Sequence, residues 1–285
     1  MTRSCDTDAT GGIRVTDRQF DIVTVPLAAG ARALGGRSIQ QDELVCLYDS
    51  REDARLLVLA DGMGGDGAGE LAAQGVVQTA RKLWAERGWC DQPAALFLET
   101  LCQTAHQELR RLGRTVAQGE PHSTVVALLI RGGRTSWAHV GDSRLYRFQG
   151  RRLLGCTEDH SMAQQRVRRG EISAHQVACA HDQHQLLRGL GGPNPPVVDH
   201  GCAMLRPGQS FALCSDGIWE HLNPGELGRF SRHRNQHKAL RKALSLALDR
   251  GGKNADNMAL IVIRAGWSRW LRSIGSKLRA TVSGG

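Results

Sequence analysis

Five aspartates stand at the edges of apolar runs, a placement that suggests a cation site. Asp61 follows Leu57-Val58-Leu59-Ala60, Asp216 follows Phe211-Ala212-Leu213-Cys214-Ser215, and Asp142 follows Ala138-His139-Val140-Gly141. Asp42 precedes Glu43-Leu44-Val45-Cys46, and Asp256 precedes Asn257-Met258-Ala259-Leu260. A carboxylate fixed at the end of a buried strand is costly without a cation or a donor. Several gathered together repel one another and resist ionisation unless cations neutralise them. An oxygen-only site suits Mg²⁺ or Mn²⁺ rather than zinc. Two such ions about 4 Å apart can share and activate a water for in-line attack on phosphorus. Arg37, ahead of Asp42, then offers a planar cationic fork for phosphate oxygens.

A single Asp beside Gly is usually a turn residue. Here Asp61-Gly62 and Asp216-Gly217 directly follow apolar strands, where a glycine lets a backbone carbonyl approach an ion closely. In an antiparallel sheet, the C-terminal ends of two strands and the N-terminal ends of two others share an edge. Asp42, Asp61, Asp216 and Asp256 are therefore expected on one edge.

The elements that must position them follow from periodicity. Strands are expected over 20–26, 43–48 and 55–60, then over 123–130, 135–140, 144–148 and 152–156, and finally over 197–204, 210–215 and 257–264. Leu71, Val76, Ala80, Leu83 and Trp84 mark one amphipathic helix, and Leu98, Leu101, Ala105, Leu109 and Leu112 mark a second. A third spans 236–248. Residues 1–18 read as a flexible N-terminus. Residues 158–196, polar and closing on Gly191-Gly192-Pro193-Asn194-Pro195-Pro196, read as a short helical insertion ending in a stiff loop. Strands and helices do not alternate one for one, which argues for an α+β fold with helices outside largely antiparallel sheets.

The chain of 285 residues carries 41% hydrophobic and 23% charged residues, the balance of a soluble globular protein. No run approaches the roughly 20 apolar residues of a membrane span, and the N-terminus lacks a signal-peptide core; a cytoplasmic location is expected. The eight cysteines show no C-x-x-C pair and read as reduced core residues. The net charge of +9 concentrates in 229–253 and in a tail from Arg264. With no aromatic-rich basic strand or recognition-helix motif, a solvated surface is expected there and no nucleic acid.

In order along the chain, Gly35 to Asp42 (GGRSIQQD), Val58 to Gly65 (VLADGMGG), His122 to Ile130, Ala138 to Arg147 (AHVGDSRLYR), Thr157 to Ser161, Leu186 to Gly192, Leu213 to Glu220 (LCSDGIWE) and Ala255 to Ile263 (ADNMALIVI) resemble the motifs of the metal-dependent protein serine/threonine phosphatases, type 2C (PPM), in their bacterial form. The resemblance covers residues 30–264. It implies a four-layer αββα sandwich, a catalytic domain over 19–265 and a flap subdomain over 158–196. It implies two Mn²⁺ or Mg²⁺ ions held by Asp42, Asp61, the Gly62 carbonyl, Asp216 and Asp256, and a third, weaker site at Asp142 and Asp216. Arg37 would bind substrate phosphate, and a hydroxide bridging the two metals would hydrolyse phosphoserine and phosphothreonine in proteins. The implied partners are phosphorylated proteins and a serine/threonine kinase system, with the enzyme a monomer. Departures from the family pattern are Gln40 and Gln41 before Asp42, Asp66 in the glycine turn, and His181-Asp182-Gln183-His184 in place of a His-Pro start to the flap helix. Met63 offers no side-chain acid, so leaving-group protonation falls to water.

Rival patterns fit less well. Gly62 to Gly67 matches G-x-G-x-x-G, but the following helix leads to another helix and not to a strand carrying a ribose-binding acid. Asp6 to Thr10 matches D-x-D-x-T without a preceding apolar strand. No cysteine has an arginine six residues on, and Arg234 stands where an H-E-x-x-H site at His233 and His237 needs Glu. A non-catalytic binding module on the same fold would be expected to lose carboxylates, and none is missing. Arg166, Arg168 and Arg169 fit either a contact for acidic substrates or a solvated helix face. In 266–285, Trp267, Trp270, Leu271, Ile274 and Leu278 have near-helical spacing opposite basic residues, suited to a partner or an anionic membrane surface as well as to packing on the domain or disorder.

Overall fold

Leu57 and Leu59 belong to a different core from Leu56, Val58 and Ala60, and that division sets the architecture. In the computed structural model, which describes residues 4–7, 13–16, 19–65, 67–114 and 119–265, side chains alternate across each central strand. One face of a sheet then meets helices and the other meets a second sheet.

The first half of the chain runs β1 (Ser4–Thr7), β2 (Ile13–Thr16), β3 (Asp21–Val25), β4 (Ala28–Ala33), β5 (Asp42–Asp49), β6 (Ala54–Met63), α1 (Ala68–Ala85) and α2 (Ala94–Gly113). Then come β7 (His122–Ser123), β8 (Val125–Arg131), β9 (Arg134–Val140), β10 (Arg144–Gln149), β11 (Arg152–Cys156) and α3 (Met162–Arg168). The chain closes with β12 (Asp199–Met204), β13 (Gln209–Cys214), the single turn α4 (Asp216–Trp219), α5 (Pro224–Ser231), α6 (Gln236–Gly251) and β14 (Met258–Arg264).

One antiparallel sheet has the order β1-β2-β3-β4-β14-β13-β10-β11, the other β12-β9-β8-β6-β5. Helices α1 and α2 cover the second sheet through Val76, Ala80, Leu98, Leu101 and Leu109. Helices α5 and α6 cover the first through Leu227, Phe230, Leu240 and Leu244. Between the sheets lie Leu44, Cys46, Leu57, Leu59, Val126, Leu128, Phe211, Leu213, Ala259 and Ile261. The four-layer αββα sandwich is the expected one. Leu59 is fully buried in this central layer; Leu59→Ala is expected to cost about 2–5 kcal/mol, measured by urea unfolding.

Several elements differ from expectation. Residues 4–7 and 13–16 are not loose: β1 pairs with β2, and β2 with β3. Strand β4 (AAGARA) lacks β-branched residues and forms because β3 and β14 pair with it on either side, so tertiary context overrides propensity. Helix α5 starts at a capping box, Asn223 with Glu226, and has Pro224 at its first position. Helix α6 begins at Gln236, so His233 lies in the turn before it. Of the seven cysteines described, none of them in a disulfide, only Cys46, Cys102 and Cys214 are buried, whereas Cys156, Cys179 and Cys202 are exposed. The tail 266–285 and Asp66 lie outside the described residues, as do parts of 1–18.

Candidate metal centre

At one end of the sandwich the central layer turns from apolar to polar. Leu57 and Leu59 lead to Asp61, Cys46 and Leu44 lead back to Asp42, Leu213 leads to Ser215, and Ile261 and Ala259 lead back to Asn257. Asp42 and Asp61 are directly opposite in the β5–β6 register. Asp216 opens α4 after β13, and Asp256 lies in the loop just before β14. The carboxylates therefore come from the same end of two facing sheets, not from one sheet edge. Nor does Asp61 end its strand, because Gly62 and Met63 go on to pair with Ser123 and His122 of β7.

A cleft of about 350 Å³ opens at this end, lined by Asp61, Gly62, Asp142, Asp216, Asp256 and Arg37 together with Met63 and His184. Asp42 does not line it. The residue is 2% exposed, and its carboxylate accepts a 2.6 Å hydrogen bond from Ser215 Oγ.

Local bonds hold the backbone beneath these side chains. The Asp61 carbonyl accepts from Thr124 N–H (2.8 Å) and Ser123 Oγ (3.0 Å), and Asp61 N–H donates to Thr124 Oγ1 (3.1 Å). Asn257 accepts from Gln41 N–H (2.8 Å) and donates to the Leu34 carbonyl (2.8 Å), tying the loop of Arg37 to that of Asp256. Gln40 caps the Asp42 N–H at 3.0 Å. The two glycines are required by chain packing: a Cβ on Gly62 would stand 1.8 Å from the Gly69 carbonyl of α1, and one on Gly217 would stand 2.2 Å from the Asn257 carbonyl. The turn carrying Asp142 is braced by Trp219, whose Nε1 donates to the Asp142 carbonyl (3.0 Å), and by Arg144, which lies 3.6 Å over the Trp219 ring and forks onto Asp159 at 2.7 and 2.6 Å.

Burial is the main cause that raises Asp42, Asp61 and Asp142 well above the ordinary carboxylate range. Like charges add to it: Asp216 acts on all three, and Asp42 acts on Asp61. Among the described residues neither Asp61 nor Asp142 forms an ion pair, whereas Arg37 donates to Asp256 Oδ2 at 2.5 Å. Crowded carboxylate donors, of which Asp61 and the buried Asp142 have no cation of their own among the described residues, fit hard divalent ions.

The sequence had marked other groups less clearly. His184, known only as a departure in the 158–196 segment, enters the cleft with Nδ1 3.4 Å from Asp216 Oδ2 and Nε2 3.8 Å from Glu220 Oε1. The contact with Asp216 pushes His184 up to about 9, and burial, helped by Asp216, pushes Glu220 up to about 7. Ser215 and Asn257 were legible only as neighbours of Asp216 and Asp256. Arg166 pairs with Glu171 and Asp182, Arg168 with Glu158, and Arg169 approaches Glu171. These arginines are engaged within the segment. A second cluster, His139, His160 and Asp199, is already served by Arg188, which donates to Asp199 at 2.8 Å. Its two imidazoles are stacked at 4.6 Å, so their in-plane lone pairs do not converge.

Residues 29–250 match the family described as protein phosphatase 2C. The protein phosphatase PhpP of Streptococcus pneumoniae is 28% identical over 203 residues, spanning 68% of this chain and 79% of that one. Among solved structures, the PPM Ser-Thr phosphatase MsPP from Mycobacterium smegmatis, in complex with cacodylate, superposes with a TM-score of 0.69 at 29% identity, covering 84% of this chain and 98% of that one. The catalytic domain of the serine threonine protein phosphatase PstP, in complex with 2 manganese ions, superposes at 0.67 with 25% identity, over 82% and 95%.

Proposed function

The chain belongs to the protein phosphatase 2C family, and from that membership we propose that it is a divalent-metal-dependent phosphatase for phosphoserine and phosphothreonine in proteins. The observation that carries this reading is the meeting of Asp61, Asp142, Asp216 and Asp256 with Arg37 in one cleft. The manganese complex of the related PstP domain supports the choice of metal.

Asp61, the Gly62 carbonyl, Asp216 and Asp256 would hold two Mn²⁺ or Mg²⁺ ions, with Asp142 and Asp216 serving a third. When bound, the ion pair supplies an activated water and neutralises charge on the phosphoryl group. Asp42, outside the cleft lining, adds negative charge to the site and fixes Ser215 and the start of β5. Ser123 and Thr124 fix the Asp61 backbone, so its carboxylate needs little reorganisation. Arg37, exposed at the rim, exchanges Asp256 for substrate oxygens. Met63 has no proton to give, so the departing serine or threonine oxygen is protonated by solvent, and water's other atoms leave with phosphate. Segment 158–196 forms the flap beside the cleft, within a catalytic domain of 19–265.

The phosphomonoester substrate must be made by phosphoryl transfer from a nucleotide to a hydroxyl, so a serine/threonine kinase is the opposing partner. No helix among the described residues is long and apolar enough to cross a membrane; we place the activity in the cytoplasm.

The deciding experiment measures phosphate release from a phosphothreonine peptide with Mn²⁺ and with chelator. Equal, negligible release in both would reject the enzyme and leave a binding module. Arg37→Ala is expected to raise KM about tenfold, the worth of a charge-assisted hydrogen bond, with a smaller change in kcat. Steady-state kinetics on the same peptide checks the split, and an unchanged KM rejects the phosphate role.

A further inference from the structure

Two stretches of this chain carry positive charge and no acid. Residues 227–248 hold Arg229, Arg232, Arg234, Lys238, Arg241 and Lys242, and residues 257–285 hold Arg264, Arg269, Arg272, Lys277 and Arg279, with no Asp or Glu in either. Together they exceed the net charge of +9, so the rest of the chain is slightly acidic.

The fold brings both stretches to one place. Arg264 N–H (3.2 Å) and Gln236 Nε2 (2.7 Å) donate to the same Leu27 carbonyl, so the end of β14 lies beside the first residue of α6. Ser231, the last residue of α5, shares a 2.8 Å hydroxyl bond with Ser210, the register partner of Arg264. Between the two helices Arg232, His233 and Arg234 are exposed, as are Lys238 and Lys242 one turn apart on α6. None of Arg232, Arg234, Lys238 and Lys242 forms an ion pair among the described residues. The chain therefore leaves the body at Ala265 beside a patch of cations without counterions of their own. Asp256 and the metal cleft are at the other end of the seven-residue β14, roughly 20 Å away.

Residues 266–285 lie outside the described residues, and their sequence supplies the apolar partner that a charged patch lacks. At helical spacing Trp267, Trp270, Leu271, Ile274 and Leu278 share an arc of about 100°, and Arg269, Arg272, Lys277 and Arg279 fall outside it. Two tryptophans in an apolar arc bordered by basic residues suit the interface of a bilayer. A nucleic acid would meet the cations but leave Leu271, Ile274 and Leu278 in water.

We propose that the 232–235 turn, the first turns of α6 and residues 266–285 together bind an anionic phospholipid membrane surface. The apolar arc enters the boundary between headgroups and acyl chains, and the patch on the body meets the lipid phosphates, two signals where either alone binds weakly. The cleft, at the opposite end of β14, stays open to solvent.

The test floats the full chain with vesicles of phosphatidylcholine alone and with vesicles of phosphatidylcholine and phosphatidylglycerol in equal parts. Binding to the mixed vesicles only, weakened by added salt, is expected. Trp267→Ser with Trp270→Ser, and separately Arg232→Gln with Arg234→Gln and Lys238→Gln, are each expected to lower partitioning about tenfold or more. Both variants are expected to keep the wild-type melting temperature and the wild-type hydrolysis of a soluble phosphopeptide. Equal binding to both kinds of vesicle, or none, overturns the inference. So does full binding by the arginine and lysine variant, which would exclude the body, or a lower melting temperature of the tryptophan variant, which would place the tail on the domain. Tighter binding to single-stranded RNA than to the mixed vesicles overturns it in favour of nucleic acid. The phosphatase reading stands or falls separately, on phosphate release from the soluble peptide.

Discussion

Asp61→Asn is expected to lower Mn²⁺-dependent phosphopeptide turnover by about a thousandfold or more, on the order of 4 kcal/mol of transition-state stabilisation. The substitution keeps the shape of the side chain, the β6 pairing and the bonds from Ser123 and Thr124 to its backbone. What it removes is a charge that Asp42 and Asp216 repel. The same loss relieves repulsion among buried carboxylates, because Asp61 is raised by burial first and by Asp42 and Asp216 next. The metal-free variant is therefore expected to melt a few °C higher than the metal-free wild type. Kinetics and calorimetry on one preparation check both halves. Full activity in the variant would remove Asp61 from the metal site, and a lower melting temperature would contradict the repulsion.

Chelation is expected to abolish turnover and also to change how stability depends on pH. Asp42, Asp61, Asp142 and Glu220 ionise at higher pH in the folded chain than in the unfolded one, and His184 keeps its proton up to about 9. The folded state thus binds more protons than the unfolded state, and stability falls as pH rises through that interval. His106, His139, His160 and His221 are lowered by burial and act with the opposite sign, but only below the ordinary histidine value near 6.5. From pH 6.5 to 8.5 in chelator the melting temperature should therefore decline. Saturating Mn²⁺ neutralises the carboxylates and flattens the decline, adding ~2.7 kcal/mol per site at a hundredfold excess over Kd. A melting temperature indifferent to Mn²⁺ at pH 8 would contradict a metal site in this cleft.

Much of the fold was legible because alternation is a local signal. Leu57 and Leu59 against Leu56, Val58 and Ala60 divide between two cores as a period of two requires. Strands with that signal appeared where expected, and so did the helix of Val76 and Ala80 and the helix of Leu98 and Leu101. Strand β4 escaped because its alanines and glycine carry no strand preference and are held by neighbours distant in sequence. Helix α5 was readable from Asn223-Pro224-Gly225-Glu226, a start signal passed over among the basic residues that follow.

The candidate site divides in the same way. Residue type and position along the chain were enough to nominate Asp42, Asp61, Asp142, Asp216 and Asp256, since a charge at the edge of an apolar run is visible without a partner, and Arg37 was nominated from its place ahead of Asp42. Periodicity within one strand says nothing of which sheet that strand joins. Only folding put Asp42 and Asp61 on one sheet and Asp216 and Asp256 just beyond the ends of β13 and β14 of the other, withdrew Asp42 behind a bond from Ser215, and brought His184 and Glu220 beside Asp216. Those outcomes depend on contacts between residues far apart in the chain, where packing between layers sets distance and burial sets the electrostatics.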